Sequence, residues 1–117
     1  EKDESSTLGI NSRQHLADVS AILQKQILSR LMDSGVTITS PEQTLIGPKV
    51  KISPDTVIEP GCMILGTTEI GKNCVIGPNV KLNNAKIEDN TNLEYSIIEN
   101  ATINQNSDVK PFSVIRG

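Results

Sequence analysis

From Ile46 to Leu82 a branched aliphatic stands at every sixth position: Ile46, Ile52, Ile58, Ile64, Ile70, Ile76 and Leu82. The beat then continues at intervals of five or six through Ile87, Leu93, Ile98, Ile103, Val109 and Ile115. An α-helix repeats about every 3.6 residues and a half-buried strand every second residue, so neither explains this period. A fixed internal repeat this short is the signature of a parallel β-helix. Between the aliphatics fall Gly, Pro, Asn and Asp, as in Ile46-Gly47-Pro48-Lys49-Val50-Lys51 and Ile76-Gly77-Pro78-Asn79-Val80-Lys81. The aliphatic points inward, and a small or β-branched residue four places later fills the remaining interior. The residues between them turn the chain. Asn and Gly tolerate the positive φ of a tight corner, which accounts for Asn83, Asn84, Asn90, Asn92, Asn100, Asn104 and Asn106. Three hexads make one coil of a triangular prism. Roughly four coils then fit residues 46–114, stacked at the ordinary strand spacing of about 4.8 Å.

Ahead of the repeat the period changes. Residues 1–10 are polar and then turn apolar at Leu8-Gly9-Ile10, and residues 11–34 read as one helix. Asn11 or Ser12 can cap it, Asn11 followed by Gln14 being a capping-box variant, and Gly35 stands where a left-handed stop belongs. Leu16, Val19, Leu23 and Ile27 form one apolar stripe, and Ala17, Ala21, Leu28 and Met32 a weaker second. Two stripes predict a helix wedged between two bodies. Val36-Thr37-Ile38 alternates like a strand and Ser40-Pro41 stops it, so residues 35–43 read as a connection and 44–117 as the repeat.

Composition removes several function classes. The net charge is −3 and no basic stripe is visible, so a nucleic-acid footprint is not expected. Tyr95 and Phe112 are the only aromatics, too few for base-stacking platforms. No apolar run reaches the length of a membrane span, and Glu1-Lys2-Asp3-Glu4-Ser5-Ser6 does not open a signal peptide. The chain starts without Met and its repeat stops mid-coil at Val114-Ile115-Arg116-Gly117, which reads as an excised piece of a longer protein. Cys62 and Cys74 occupy the small-residue slot also filled by Val50, Thr56, Thr68, Val80, Thr91, Thr102, Ser107 and Ser113. They read as packing residues on different corners, not as a disulfide or metal pair. His15, the one histidine, falls on the helix and reads as solvated surface. The carboxylates Asp18, Asp33, Glu59, Glu69, Glu88, Asp89 and Glu94 show no catalytic-pair or metal spacing, and no phosphate-cradling loop or nucleophile elbow is present.

Hexads of this form resemble the left-handed β-helix of the hexapeptide-repeat acyltransferases. The flanks are more specific. Leu8-Gly9-Ile10-Asn11-Ser12-Arg13 with Leu16, then Gly35-Val36-Thr37-Ile38-Thr39-Ser40-Pro41, then Asp55-Thr56-Val57-Ile58-Glu59-Pro60-Gly61, and finally Lys110-Pro111-Phe112-Ser113-Val114-Ile115-Arg116-Gly117 follow one another in an informative order. Together they resemble the bacterial bifunctional N-acetylglucosamine-1-phosphate uridylyltransferase / glucosamine-1-phosphate acetyltransferases. Lys110 stands where that family usually has Gly, and Gly117 follows Arg116 where Pro is common.

The resemblance implies a fold that is mainly β: a left-handed parallel β-helix of about four coils preceded by one long α-helix. Residues 1–10 would be the tail of the nucleotidyltransferase domain, 11–34 a linker helix, 35–43 a connection and 44–117 the first coils of the β-helix. Two site residues carry over. Asn11 matches an Asn that contacts Mg²⁺ and the sugar nucleotide; capping the helix is its other role. Arg116 matches an Arg that holds the phosphorylated sugar in the acetyltransferase site; an exposed corner arginine is the alternative. A guanidinium suits phosphate because it donates two parallel hydrogen bonds. The acetyl-transfer base and the acetyl-CoA groove would lie on later coils, so no catalytic residue and no bound cofactor is expected within this chain. The parent would be a cytoplasmic homotrimer of UDP-N-acetylglucosamine synthesis, using Mg²⁺ and acetyl-CoA, and this piece a structural, trimerising module. Two alternatives remain: the β-helix tail of another sugar-phosphate nucleotidyltransferase, and a non-catalytic hexapeptide scaffold.

Overall fold

The computed structural model describes residues 12–117. Helix α1 spans Arg13–Asp33, and Ser12 is its N-cap: the Ser12 Oγ accepts the His15 N–H at 2.9 Å. The alternative cap, Asn11, lies outside the described residues. At the other end the Val36 N–H reaches the Leu31 carbonyl and the Gly35 N–H the Met32 carbonyl, both at 3.1 Å. This is a Schellman stop, with Gly35 at φ +103° and the hydrophobic pair Leu31 and Val36 buried beside it.

Thirteen short strands follow: β1 (Thr37–Ile38), β2 (Leu45–Ile46), β3 (Lys51–Ile52), β4 (Val57–Ile58), β5 (Met63–Leu65), β6 (Glu69–Ile70), β7 (Val75–Ile76), β8 (Lys81–Asn83), β9 (Lys86–Ile87), β10 (Asn92–Leu93), β11 (Ile97–Glu99), β12 (Thr102–Ile103) and β13 (Val114–Arg116). The chain visits three parallel sheets in turn. The first face is β1-β4-β7-β10, the second β2-β5-β8-β11-β13 and the third β3-β6-β9-β12. The result is a parallel β-helix of about five turns. Counting hexads from Ile46 gives about four, because β1 lies in the segment read as a connection. Ile38 pairs in register with Ile58, so that segment already belongs to the stack. The short helical turn Pro41–Gln43 lengthens this first coil and hides it from a six-residue count.

The register explains the beat. On the second face Ile46 stacks on Ile64, Leu82, Ile98 and Ile115, each one coil apart. Every one of these but the half-buried Ile115 is at most 1% exposed. The early coils take eighteen residues, while Leu82 to Ile98 takes sixteen. The lost residues come from corners. In Leu82-Asn83-Asn84-Ala85-Lys86 the left-handed residue is Asn84, φ 51°, and the buried slot falls on Ala85, three places after Leu82 instead of four. The same shortening corrects one expected position: Ala101 packs against the core, and Thr102 points outward on β12. Of the asparagines read as corner residues, Asn84, Asn90, Asn100 and Asn106 have positive φ, whereas Asn92 is an outward residue of β10.

The slot prefers threonine where a coil-to-coil bond is available. Thr56 Oγ1 donates to the Gly71 carbonyl at 2.7 Å and accepts the Cys74 N–H at 3.1 Å, tying two coils together from inside. Thr68 does the same between the Leu65 carbonyl and the Ala85 N–H, at 2.7 and 3.2 Å. A buried hydroxyl with both partners carries no desolvation penalty of an unmade bond. Cys62 and Cys74 are free, buried and on different corners. Burial, ahead of every other influence, pushes both thiols above their ordinary pKa.

The helix follows its predicted stripes only in its second half, where Ile27 and Leu28, one from each stripe, reach the prism. Leu16 and Leu23 are 63% and 54% exposed, and the residues that pack on the prism are Leu28, Leu31 and Ile27. The attachment is made by the C-terminal half of the helix. Gln24 secures it: its side-chain amide donates to the Ile46 carbonyl at 2.8 Å and accepts the Ile46 N–H at 2.6 Å. One glutamine thus imitates a neighbouring strand and satisfies the free edge of β2, which otherwise presents unpaired backbone.

Candidate functional site

The interior holds aliphatics with threonines, a serine and two thiols, and the charged side chains stand on the outer faces. On the second face, pairing of β8, β11 and β13 sets Asn83, Glu99 and Arg116 in one row, with Lys81 in the adjacent row beside Ile97 and Val114. The Arg116 Nε–H donates to Glu99 Oε1 at 2.7 Å, and Lys81 Nζ approaches Glu99 Oε2 at 3.5 Å. Glu99 is the shielded member, with its side chain 17% exposed against 61% for Arg116. The Arg116 hydrogen bond holds the Glu99 carboxyl below its ordinary pKa of 4.5; partial desolvation opposes this, and the charges of Lys81 and Arg116 reinforce it. Two cations share one carboxylate, so the cluster keeps a net positive charge on an exposed surface.

Arg116, expected as a phosphate-binding residue, is therefore on an outward strand, half of an ion pair. Asn11 lies outside the described residues, so it is not brought together with Arg116 here. His15 sits in the first turn of α1 on the exposed side, as read from the sequence. Glu99 and Lys81 were not singled out by sequence reasoning. The available signal was the seventeen-residue offset between Glu99 and Arg116, one coil length, but it becomes legible only once the shortened corners are known.

A second feature lies at the helix end. An apolar groove of about 860 Å³ runs between α1 and the first coils, lined by Leu28, Met32, Leu45 and Met63 among others. Among the described residues no group of three His, Cys, Asp or Glu side chains could hold a metal ion, and no helix is long and apolar enough to cross a membrane.

Residues 49–84 match the family described as bacterial transferase hexapeptide (six repeats). Curated relatives cover nearly the entire chain. "Bifunctional protein GlmU" of Thermoanaerobacter pseudethanolicus is 44% identical over 108 residues, 92% of this chain and 24% of that protein. The GlmU of Halalkalibacterium halodurans is 41% identical over 110 residues, 94% of this chain and 24% of the relative. That of Synechococcus elongatus is 42% identical over 115 residues, 98% of this chain and 25% of the relative. The chain thus spans about a quarter of the length of the curated relatives it matches. The resemblance read from its motifs holds: this is a hexapeptide-repeat β-helix with a preceding helix, similar over nearly its full length to one segment of the bifunctional GlmU proteins.

Proposed function

We propose that the chain is the junction of a bifunctional sugar-nucleotide enzyme. Residues 1–10 end a uridylyltransferase domain, α1 is the linker, and the coils begin an acetyltransferase β-helix. The parent acetylates glucosamine-1-phosphate with acetyl-CoA and then transfers a uridylyl group from UTP with Mg²⁺, in the cytoplasm, as a homotrimer. The observation that carries this reading is identity above 40% across both helix and coils, which a shared repeat alone does not produce. Arg116 supports it: an exposed guanidinium in a net-positive cluster is suited to a sugar phosphate. Asn11 would serve the metal and nucleotide of the upstream site.

Alone, the 117-residue chain would provide the foundation coils and the trimer contacts. The second face carries an outward apolar row, Leu45, Met63, Ile97 and Val114, interrupted by Lys81. Such a row suits packing of prisms about a symmetry axis. The test is enzymatic. The full-length protein should transfer acetyl and uridylyl groups in separable assays, and this chain alone should transfer neither while sedimenting at three times its monomer mass. Loss of only the acetyltransferase assay in the full-length protein would favour a nucleotidyltransferase whose coils serve assembly.

A further inference from the structure

We infer that Glu99 is a positioning residue for Arg116: it grips the guanidinium by its Nε and leaves the two terminal nitrogens to a phosphate. The inference rests on the phosphate-binding reading of Arg116. It is argued from the row of side chains on the second face. Glu99 and Arg116 are register partners on adjacent strands, so their Cβ atoms are held side by side by the ladder. The carboxylate takes the Nε–H at 2.7 Å through a single oxygen, Oε1. The other oxygen, Oε2, faces Lys81 Nζ at 3.5 Å. Glu99 is thus held from both flanks, by Lys81 on β8 and Arg116 on β13, the charged groups that face it from the neighbouring strands.

This geometry differs from a closed ion pair. A carboxylate that meets both an Nε–H and an Nη–H fork-to-fork occupies one of the four terminal N–H donors that a phosphate could use. Here the terminal amino groups of a side chain 61% open to solvent are not part of the bond. A free arginine has many rotamers and loses that freedom on binding; a pre-held one loses less. Lys81 solves the charge problem. Without it the Glu99–Arg116 pair would be neutral and would offer a dianion little attraction.

Steady-state kinetics on the full-length protein test this, with the two substrates titrated separately. Glu99→Ala should raise the KM for the sugar phosphate up to about tenfold, the cost of ordering a long side chain that is no longer pre-held, which the added positive charge does not restore. It should leave kcat and the KM for acetyl-CoA within about twofold of the parent value. Glu99→Gln keeps an acceptor for the Nε–H and most of the shape, so its rise should be smaller, about threefold. If Glu99 acts only through Arg116, the Glu99→Ala, Arg116→Ala double variant should be no worse than Arg116→Ala alone. Should Arg116→Ala raise the sugar-phosphate KM while both Glu99 variants leave it unchanged, the positioning role is wrong and the function stands. A uniform loss of kcat and of affinity for both substrates in the Glu99 variants also overturns it, since that marks a merely structural carboxylate. No effect of Arg116→Ala on the sugar-phosphate KM would instead remove the phosphate reading itself.

Discussion

Ile64 and Met63 are neighbours on β5, yet Ile64 is fully buried and Met63 is 40% exposed. One coil later the same pair of positions holds Leu82 and Lys81, and the next holds Ile98 and Ile97. Along this inward column aliphatic follows aliphatic without exception. Outside, methionine, lysine and isoleucine succeed one another. The interior column must match its neighbours above and below at fixed spacing, so its chemistry is repeated. The outer faces are free to differ from coil to coil: Gln24 of the helix meets Ile46, Leu45 and Met63 leave apolar surface exposed, and Arg116 pairs with Glu99. In a solenoid, departures from the repeat are where function is written.

Substitutions sharpen this contrast. The largest effect belongs to the column. Ile64→Ala should lower the unfolding free energy by about 2–5 kcal/mol in denaturant titration, whereas Met63→Ala beside it should cost the monomer under about 1 kcal/mol. Equal losses at the two positions would mean that inside and outside are not distinct. Gln24→Ala comes next. Removing the amide leaves the edge of β2 to water or unsatisfied, a cost of about 1–3 kcal/mol, with faster amide exchange expected at Ile46.

Asn84→Ala should cost about 1–2 kcal/mol. It puts a Cβ-branching-free but amide-less residue at φ 51° and removes the oxygen that accepts the Thr67 N–H at 3.0 Å. Asn83→Ala, at the end of β8, is the control and should change little. The smallest effect is the Glu99 pair. Its folded pKa is lowered, so its contribution is fully present above the ordinary carboxylate pKa of 4.5 and is lost as pH falls through the lowered folded value. Acid titration of the parent and of Glu99→Gln should therefore converge in that window and differ only above it. A thiol probe applied at pH 8 gives an independent check on the interior. Cys62 and Cys74 should label slowly in the native protein and rapidly in denaturant, because burial both hides them and raises their pKa.

Much of the architecture was legible from spacing. The aliphatic beat identified the inward residues from Ile46 through Ile103, and Gly35 marked the helix stop. Two features escape the count for a common reason. The first coil is hidden because Pro41–Gln43 breaks the beat after Ile38, and the slot expected at Thr102 falls on Ala101 because five-residue intervals shift the phase by one. A fixed count cannot see an insertion or deletion that falls within a corner. The helix stripes hold in part: Ile27 and Leu28 pack as expected, whereas Leu16 and Leu23 repeat as a buried face does but precede the turns that reach the coils.

By itself the sequence determined the period, the inward column, the left-handed corners and the family resemblance, because each is imposed by local sterics and by repetition along the chain. Only the tertiary structure decided that Gln24 closes the edge of β2, that Thr56 and Thr68 stitch the coils from inside, and that Glu99 lies between Lys81 and Arg116. Those contacts join residues about one coil or more apart, and the ladder register that brings them together depends on every corner between them.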